Sequence, residues 1–376
     1  MPIYIDVSAA VHRRAGLGRY AQSLAQSLNQ EYPGQWGLFY NQDRDCQPLP
    51  ELEALPVRTI SAGYRPWRMM VYLGQLAGIG FDRLLPDARL FHATEHLLPP
   101  FRRVPTVLTV HDLIFRLFPE HHKPLNYWYL NLTMPLYCRR AGAIIAISES
   151  TRRDLVAHYH IEPSRIAVIY EAAAPHFRPP EKVEVDAVRA RYGLPERFLL
   201  HVGTLEPRKN LVRLLGALDQ LRRGGLEIAL VLVGARGWLY EGFFRRLKEL
   251  DLEPAVKLLG YVPDADLPTL YGAATACVLP SVYEGFGLPV LEAMACGTPV
   301  VCSQAASLPE LGGTAARYFD PLHAEAIAAA LKSVWEDEDL RREMSAAGLG
   351  QAARFSWART ARETMAVYEQ VMSSPQ

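Results

Sequence analysis

The chain has 376 residues, with 40 basic and 40 acidic side chains. That length allows two domains with separate cores, and the charge balance gives no basis for nucleic-acid or bulk membrane binding. Five cysteines, at 46, 138, 277, 296 and 302, show no CxxC pair or metal spacing, which excludes a disulfide framework and predicts a reduced, cytoplasmic protein.

Met1-Pro2-Ile3 runs directly into a strand, so no secretory leader is expected. Short apolar runs at 3–7, 36–40, 89–92, 105–111, 143–148 and 166–170 mark the first half. Runs at 198–203, 228–234, 256–260, 276–280, 299–302 and 316–319 mark the second. Such runs, apolar without alternation, fit strands buried on both faces of a parallel sheet. None is long enough to cross a bilayer. Helical spacing appears between them, as in Tyr20, Leu24 and Leu28, and again in Leu211, Leu215 and Leu218. Strands alternating with helices predict two doubly wound α/β units. The boundary falls in 171–184, where Pro175, Pro179 and Pro180 interrupt any apolar periodicity. Cys277 and Cys296 read as small core residues, and Ser356 as the N-cap of a last helix.

Four segments carry candidate chemistry. The first, Arg14-Ala15-Gly16-Leu17-Gly18-Arg19-Tyr20, lies between a strand and a helix and presents helix amides to an anion. Thr109-Val110-His111-Asp112 ends a buried strand, where α/β folds place functional side chains; Asp112 reads as a cap for the next helix. In the third segment a strand ends at Gly203 and is followed by Thr204 and the adjacent cations Arg208 and Lys209, apt for phosphate oxygens. The fourth, Glu284-Gly285-Phe286-Gly287-Leu288-Pro289, runs through Glu292 to Gly297 and a new strand. Its glycines allow close ligand approach, Pro289 suits a first helical turn, and Gly297 suits the helix end. One carboxylate precedes the helix and one lies inside it, a pattern suited to a ligand with both phosphates and sugar hydroxyls.

This fourth string resembles the Glu-x7-Glu motif of retaining nucleotide-sugar glycosyltransferases of family 4, and the resemblance spans nearly the whole chain. It implies the GT-B fold, in which two Rossmann-like doubly wound domains face each other across a cleft. It also implies an acceptor-side domain 1–175, a donor-binding domain 176–354, and a helix 355–376 crossing back to the first domain. By the same resemblance Glu284 and His111 orient the transferred sugar, Lys209 and Arg208 clamp the diphosphate, and Glu292 takes the ribose hydroxyls. Gly16, Gly203, Gly285, Phe286, Gly287 and Leu288 complete the donor site, and the backbone of Gly260-Tyr261-Val262 contacts the base. Many family members place an Arg directly after the glycine; here Thr204 stands there, so Arg208 is assigned only as the neighbour of Lys209.

Asp43-Arg44-Asp45 and Asp264-Ala265-Asp266 mimic a metal-binding Asp-x-Asp, but the resemblance implies metal-independent transfer with no cofactor. Both read as structural, with Asp264 as a helix N-cap. The implied partners are a nucleotide-sugar donor, with GDP-mannose preferred, and a carbohydrate or lipid-linked acceptor in polysaccharide or glycoconjugate synthesis. A nucleotide-sugar epimerase or hydrolase, or a binding protein without turnover, stand as alternatives. Aromatics at 64–81 and 115–138, among them Trp67, Tyr72, Phe81, Phe115, Phe118, Tyr127, Trp128 and Tyr129, read as core stripes and an aromatic acceptor cleft. With Arg65, Arg68, Arg116 and Lys123 they also permit weak peripheral contact with anionic lipid at the inner membrane face.

Overall fold

Runs rich in Val, Ile and Leu without strict alternation suit strands covered on both faces, and here they become the strands of two wholly parallel sheets. The computed structural model describes residues 1–43, 45–121 and 123–373. The chain divides into two compact units, Met1–Glu171 with Ser356–Gln376, and Ala172–Phe355.

The first unit holds β1 (Ile3–Asp6), β2 (Trp36–Gln42), β3 (Val57–Ser61), β4 (Leu90–Ala93), β5 (Thr106–Val110), β6 (Ala143–Ala146) and β7 (Ile166–Val168), in the order β3-β2-β1-β4-β5-β6-β7. The second holds β8 (Leu199–Val202), β9 (Leu230–Val233), β10 (Val256–Gly260), β11 (Ala276–Leu279), β12 (Val300–Ser303) and β13 (Ala316–Phe319), in the order β10-β9-β8-β11-β12-β13. Each of the twelve expected runs contains a strand. The thirteenth, β3, was not expected. It is an edge strand whose Val57, Arg58 and Thr59 are exposed, so it lacks the buried apolar run that marks the others.

In each unit the strand order reverses beside the first strand, between β1 and β4 and between β8 and β11. Loops leaving the carboxyl ends of these four strands therefore diverge and open a crevice, the usual binding position in open α/β sheets. The helix Leu211–Arg223 packs Leu214, Leu215, Leu218 and Leu221 into the second core. In the first unit the helix Trp357–Ser373 packs on the helix Ala15–Glu31. Ser356 Oγ caps it by accepting from the Arg359 amide at 3.2 Å. Thr360 Oγ1 donates to the Tyr170 carbonyl at 2.7 Å, and the Tyr368 hydroxyl meets His92 Nδ1 at 2.6 Å inside the core. Among the described residues no helix is long and apolar enough to cross a membrane.

Candidate active site

Past β8 the chain turns through Gly203 into a 3₁₀ turn, Pro207–Lys209, and stops at Asn210 in the left-handed region (φ 56°). Asn tolerates that conformation, and its buried side chain fixes the loop. Nδ2 donates to the Pro280 carbonyl at 2.9 Å and to the Pro321 carbonyl at 2.7 Å. The Val282 amide donates to the Arg208 carbonyl at 3.0 Å, which ties this loop to the one leaving β11. The two loops of the β8/β11 crevice are thus one cross-linked scaffold.

On that scaffold Lys209 Nζ donates to Glu284 Oε1 at 2.6 Å, and Ser281 Oγ donates to the same oxygen at 2.6 Å. Arg208 Nη1 pairs with Glu284 Oε2 and donates to the Tyr283 carbonyl at 3.1 Å, while its Nη2 meets Glu206 Oε1. Lys209, Glu284 and Glu206 are each under 10% exposed, which removes any reading of Lys209 as a solvated loop cation. Burial alone would raise the Glu284 carboxyl, but Arg208 and Lys209 hold it down at about 2. Burial lowers the Lys209 ammonium, and Glu284 opposes that. His201 lies behind, its Nδ1 on the Val278 carbonyl at 2.9 Å; burial and the nearby Lys209 lower it to about 4, so it is neutral at pH 7.

The helix Leu288–Ala295 begins at Gly287, whose φ of 112° only glycine adopts readily. A Cβ there would lie 2.6 Å from Leu308 Cδ2. Ser307 Oγ lies within hydrogen-bond reach of both the Glu284 and Phe286 carbonyls, its one proton shared between them, and so holds the glycine bend. Pro289 occupies the first turn and Gly297 (φ 74°) follows the helix end. Glu292 is buried and accepts from the Tyr271 hydroxyl at 2.8 Å, so it is no solvated surface acid. The structure therefore gathers Arg208, Lys209, Glu284 and the 285–288 bend in one unit, with Glu292 one turn further along the helix.

His111, just past β5, belongs to the first unit and is nearly fully buried. Its Nε2 donates to the Thr94 carbonyl at 2.8 Å, and its Nδ1 faces Glu171 Oε1 at 3.6 Å. Burial disfavours the imidazolium, but Glu171 and the Thr94 carbonyl leave its pKa above the ordinary value. Asp112 caps as expected, accepting from the Ile114 amide at 3.0 Å. Gly16 lies in the first turn of the helix Ala15–Glu31 with open space where a Cβ would stand. Gly18 is the sterically tight member of that loop, since its Cβ would sit 2.8 Å from the Ala9 carbonyl oxygen. Arg19 is half-buried.

The structure corrects the reading of Asp264. Asp264 does not precede a helix as its cap. It opens a 3₁₀ turn, Asp264–Asp266, and pairs with His176 at 3.3 Å. The residue that precedes the next helix is Asp266, which makes no capping bond and instead accepts from Arg191 and Tyr192. Of the other Asp-x-Asp, Asp43 and Asp45 are exposed and Arg44 lies outside the described residues.

The sequence reading missed a second charged cluster, at the β1/β4 crevice. Asp6 ends β1 and Glu95 follows β4, and both are buried. Arg14 Nη1 donates to Glu95 Oε2 at 2.6 Å, and its guanidinium lies 3.6 Å from the centroid of the Tyr64 ring. Asp6 Oδ1 accepts from the Ser8 amide at 2.9 Å. Among the described residues, neither Asp6 Oδ2 nor Glu95 Oε1, both buried, has a hydrogen-bond partner. Burial and then the neighbouring Glu95 push the Asp6 carboxyl up to about 7. A single Asp and a single Glu carry no local pattern, so only the strand order brings this pair to view.

Comparison with known proteins follows the same two-unit division. Residues 186–350 match the model described as Glycosyl transferases group 1, and residues 15–176 the model described as Glycosyltransferase Family 4. The O-antigen chain mannosyltransferase B of Escherichia coli is 36% identical over 282 residues, covering 74% of this chain and 74% of that protein. The serotype-specific mannosyltransferase WbdA of Escherichia coli is 31% identical over 282 residues, 72% of this chain, which spans only 34% of that longer protein. Sucrose-phosphate synthase from Thermosynechococcus elongatus shares the fold with a TM-score of 0.79 at 20% identity, over 100% of both chains.

Proposed function

The chain belongs to the group 1, family 4 glycosyltransferases of GT-B fold, and from that premise we propose that it moves mannose from GDP-mannose to a hydroxyl of a carbohydrate or lipid-linked acceptor, without a metal ion and with retention at the anomeric carbon. The choice of mannose rests on the two mannosyltransferase relatives. The observation that carries the reading is the Arg208–Lys209–Glu284 network on the cross-linked loops of the β8/β11 crevice.

In this reaction the bond from C1 to the diphosphate oxygen breaks, and its electron pair leaves with the diphosphate. The acceptor oxygen bonds to C1 on the same face, and its proton passes to the departing phosphate oxygen. Lys209 and Arg208 meet the charge that grows on the leaving group, stabilising the transition state more than the bound donor. With its carboxyl held at about 2, Glu284 remains ionised at neutral pH. It therefore accepts hydrogen bonds from sugar hydroxyls and is no proton donor. Glu292 takes the ribose hydroxyls, and Gly203, Gly285, Phe286, Gly287 and Leu288 bring backbone close to the donor. Gly16 and His111 act from the first unit, His111 as an orienting group.

A thermal-shift panel of GDP-, UDP-, ADP- and dTDP-linked sugars, run with EDTA, tests the donor. Ligand at a hundredfold over its Kd stabilises by about 2.7 kcal/mol. A shift confined to GDP-mannose supports the assignment, followed by NMR of the product anomer. A preference for another nucleotide, a need for magnesium, or an inverted product would each overturn the corresponding part. Release of nucleoside diphosphate with no acceptor dependence would instead mark a hydrolase or epimerase.

A further inference from the structure

His111 is fixed through its backbone and its ring together. Its amide donates to His96 Nε2 at 3.2 Å, and its carbonyl accepts from Thr151 Oγ1 at 3.0 Å. The Tyr20 ring meets the imidazole edge to face, 4.8 Å between centroids, and packs in turn on Trp357 of the last helix. Both ring nitrogens face oxygens that can only accept, the Thr94 carbonyl at Nε2 and the Glu171 carboxylate at Nδ1. A neutral imidazole has one N–H and one lone pair, so one of these contacts would set a lone pair against an oxygen. The imidazolium, with two N–H groups, suits both. At 3.6 Å the Nδ1 contact is an ion pair, longer than a hydrogen bond, and it is favourable only if the ring is charged.

The titratable groups packed around the ring leave that task to Glu171. His96 accepts from the His111 amide through Nε2, so that nitrogen carries no proton. His92 lies between the Tyr368 and Thr109 hydroxyls, and burial, then His111, lower it to about 3. Tyr20 shares a hydrogen bond with Thr109 Oγ1 at 2.9 Å. For His111 itself burial works against the proton, while Glu171, then the Thr94 carbonyl and Asp112, hold it on. Glu171 is only 3% exposed and closes the first stretch of this unit. The residue before it, Tyr170, is tied by its carbonyl to Thr360 Oγ1 at 2.7 Å. The last helix thus braces both neighbours of the ring, Thr360 beside Glu171 and Trp357 behind Tyr20.

We propose that Glu171 is the positioning residue of His111, holding the buried ring as an imidazolium anchored on Thr94, so that His111 serves transfer as a fixed cation and takes no proton. The proposal rests on His111 acting as the first unit's orienting group, and adds its partner and its charge. A fixed cation suits a reaction in which the departing diphosphate gains negative charge. An imidazolium has no lone pair for the acceptor's proton, which agrees with that proton passing to the departing phosphate oxygen.

NMR of the full chain carrying nitrogen-15 histidine, from pH 5 to 9, tests the charge directly, with His111→Gln locating the signal. In wild type the His111 midpoint should lie above its ordinary 6.5. Glu171→Gln keeps the size and polarity of the side chain, and should lower that midpoint by about 1–3 pH units. The alkaline limb of kcat/KM, which reports the free enzyme, should move down by the same amount. It is read as GDP released from GDP-mannose with octyl α-mannoside as acceptor. Glu171→Asp should restore part of both shifts, and circular dichroism checks that the variants fold. A wild-type His111 that is neutral at pH 6 would overturn the proposal whatever the variants do. So would a Glu171→Gln midpoint and pH profile that match wild type while His111→Gln loses turnover. Wild-type turnover in His111→Gln would instead sink the orienting role, and this proposal with it.

Discussion

At the β8/β11 crevice two cations, Arg208 and Lys209, meet two carboxylates, Glu284 and Glu206, whereas at the β1/β4 crevice, among the described residues, one cation, Arg14, serves Glu95 and Asp6. Both sites occupy the same position in the same kind of sheet, and both are buried, so the loss of hydration is alike. Compensation differs. Both oxygens of Glu284 are bonded to cations, while among the described residues Asp6 and Glu95 each keep a buried oxygen without a partner. Burial raises any carboxyl pKa. Two adjacent cations reverse that for Glu284, to about 2, and their lack leaves Asp6 at about 7. The fold sets where charge is buried; the local count of opposite charges sets which proton stays.

Removing one charge from each site should have very different costs. Glu284→Gln strands Lys209 and part of Arg208 in a buried site, and breaking one partner of a buried pair costs about 3–5 kcal/mol. Turnover should fall by roughly 10²–10³-fold, because Lys209 and Arg208 lose the partner that aims them at the leaving-group charge. Asp6→Asn keeps an acceptor for the Ser8 amide and resembles the protonated acid, so folding at pH 7 should be unharmed or improved. Steady-state kinetics and urea denaturation of both variants decide it. Equal losses in the two would mean that charge balance does not distinguish the sites.

Opposite responses to pH sharpen it further. The Asp6 carboxyl lies above its unfolded value of 3.8, so the folded state holds a proton that the unfolded state has lost. That contribution is full below pH 3.8, falls away as pH rises toward 7, and is flat above. Glu284 lies below its unfolded value of 4.5, so its contribution is present above pH 4.5 and lost as pH falls toward 2. Tm measured from pH 3 to 8 should therefore decline less steeply above pH 4 in Asp6→Asn than in wild type. Glu284→Gln should flatten only the acid limb. An unchanged profile in Asp6→Asn would show that Asp6 is ionised in the folded protein at pH 5.

The strands and the β8/β11 site were legible because their signals are local. Twelve apolar runs announced twelve strands, and the glycines and Pro289 around Glu284 and Glu292 punctuated a strand, a bend and a helix. What escaped was whatever depends on who lies beside whom. Strand β3 is held by its pairing with β2 while its own side chains face solvent. Asp6 and Glu95 meet only because β1 lies beside β4, and Glu171 reaches His111 from a segment that read as linker. The exposed apolar side of the helix Tyr64–Ala77, with Met69, Met70, Leu73 and Leu76, was equally hidden, since a helix with apolar residues on two sides looks in sequence like one buried all round. Its one fully buried aromatic, Trp67, does pack inward, 5.8 Å between ring centroids from the half-buried Phe81 just past the helix.

The smallest effect tests how tightly each crevice is built, using glycine as the probe. Gly287 stands at φ 112° with Leu308 Cδ2 2.6 Å from any added Cβ, so Gly287→Ala must strain the backbone and displace a core leucine. A loss of about 1–3 kcal/mol is expected, together with weaker donor binding. Gly16, on the other crevice's loop, has a helical first-turn position and nothing within 4 Å of a Cβ. Gly16→Ala should therefore leave the fold intact or stabilise it by about 0.5–1 kcal/mol. Any cost would appear only in turnover, as a methyl group entering space kept open for substrate. A paired measurement of Tm and kcat/KM reads both. If Gly16→Ala changes neither, the open space at that loop serves no ligand, and of the two first-unit groups proposed to act on the donor only His111 would remain.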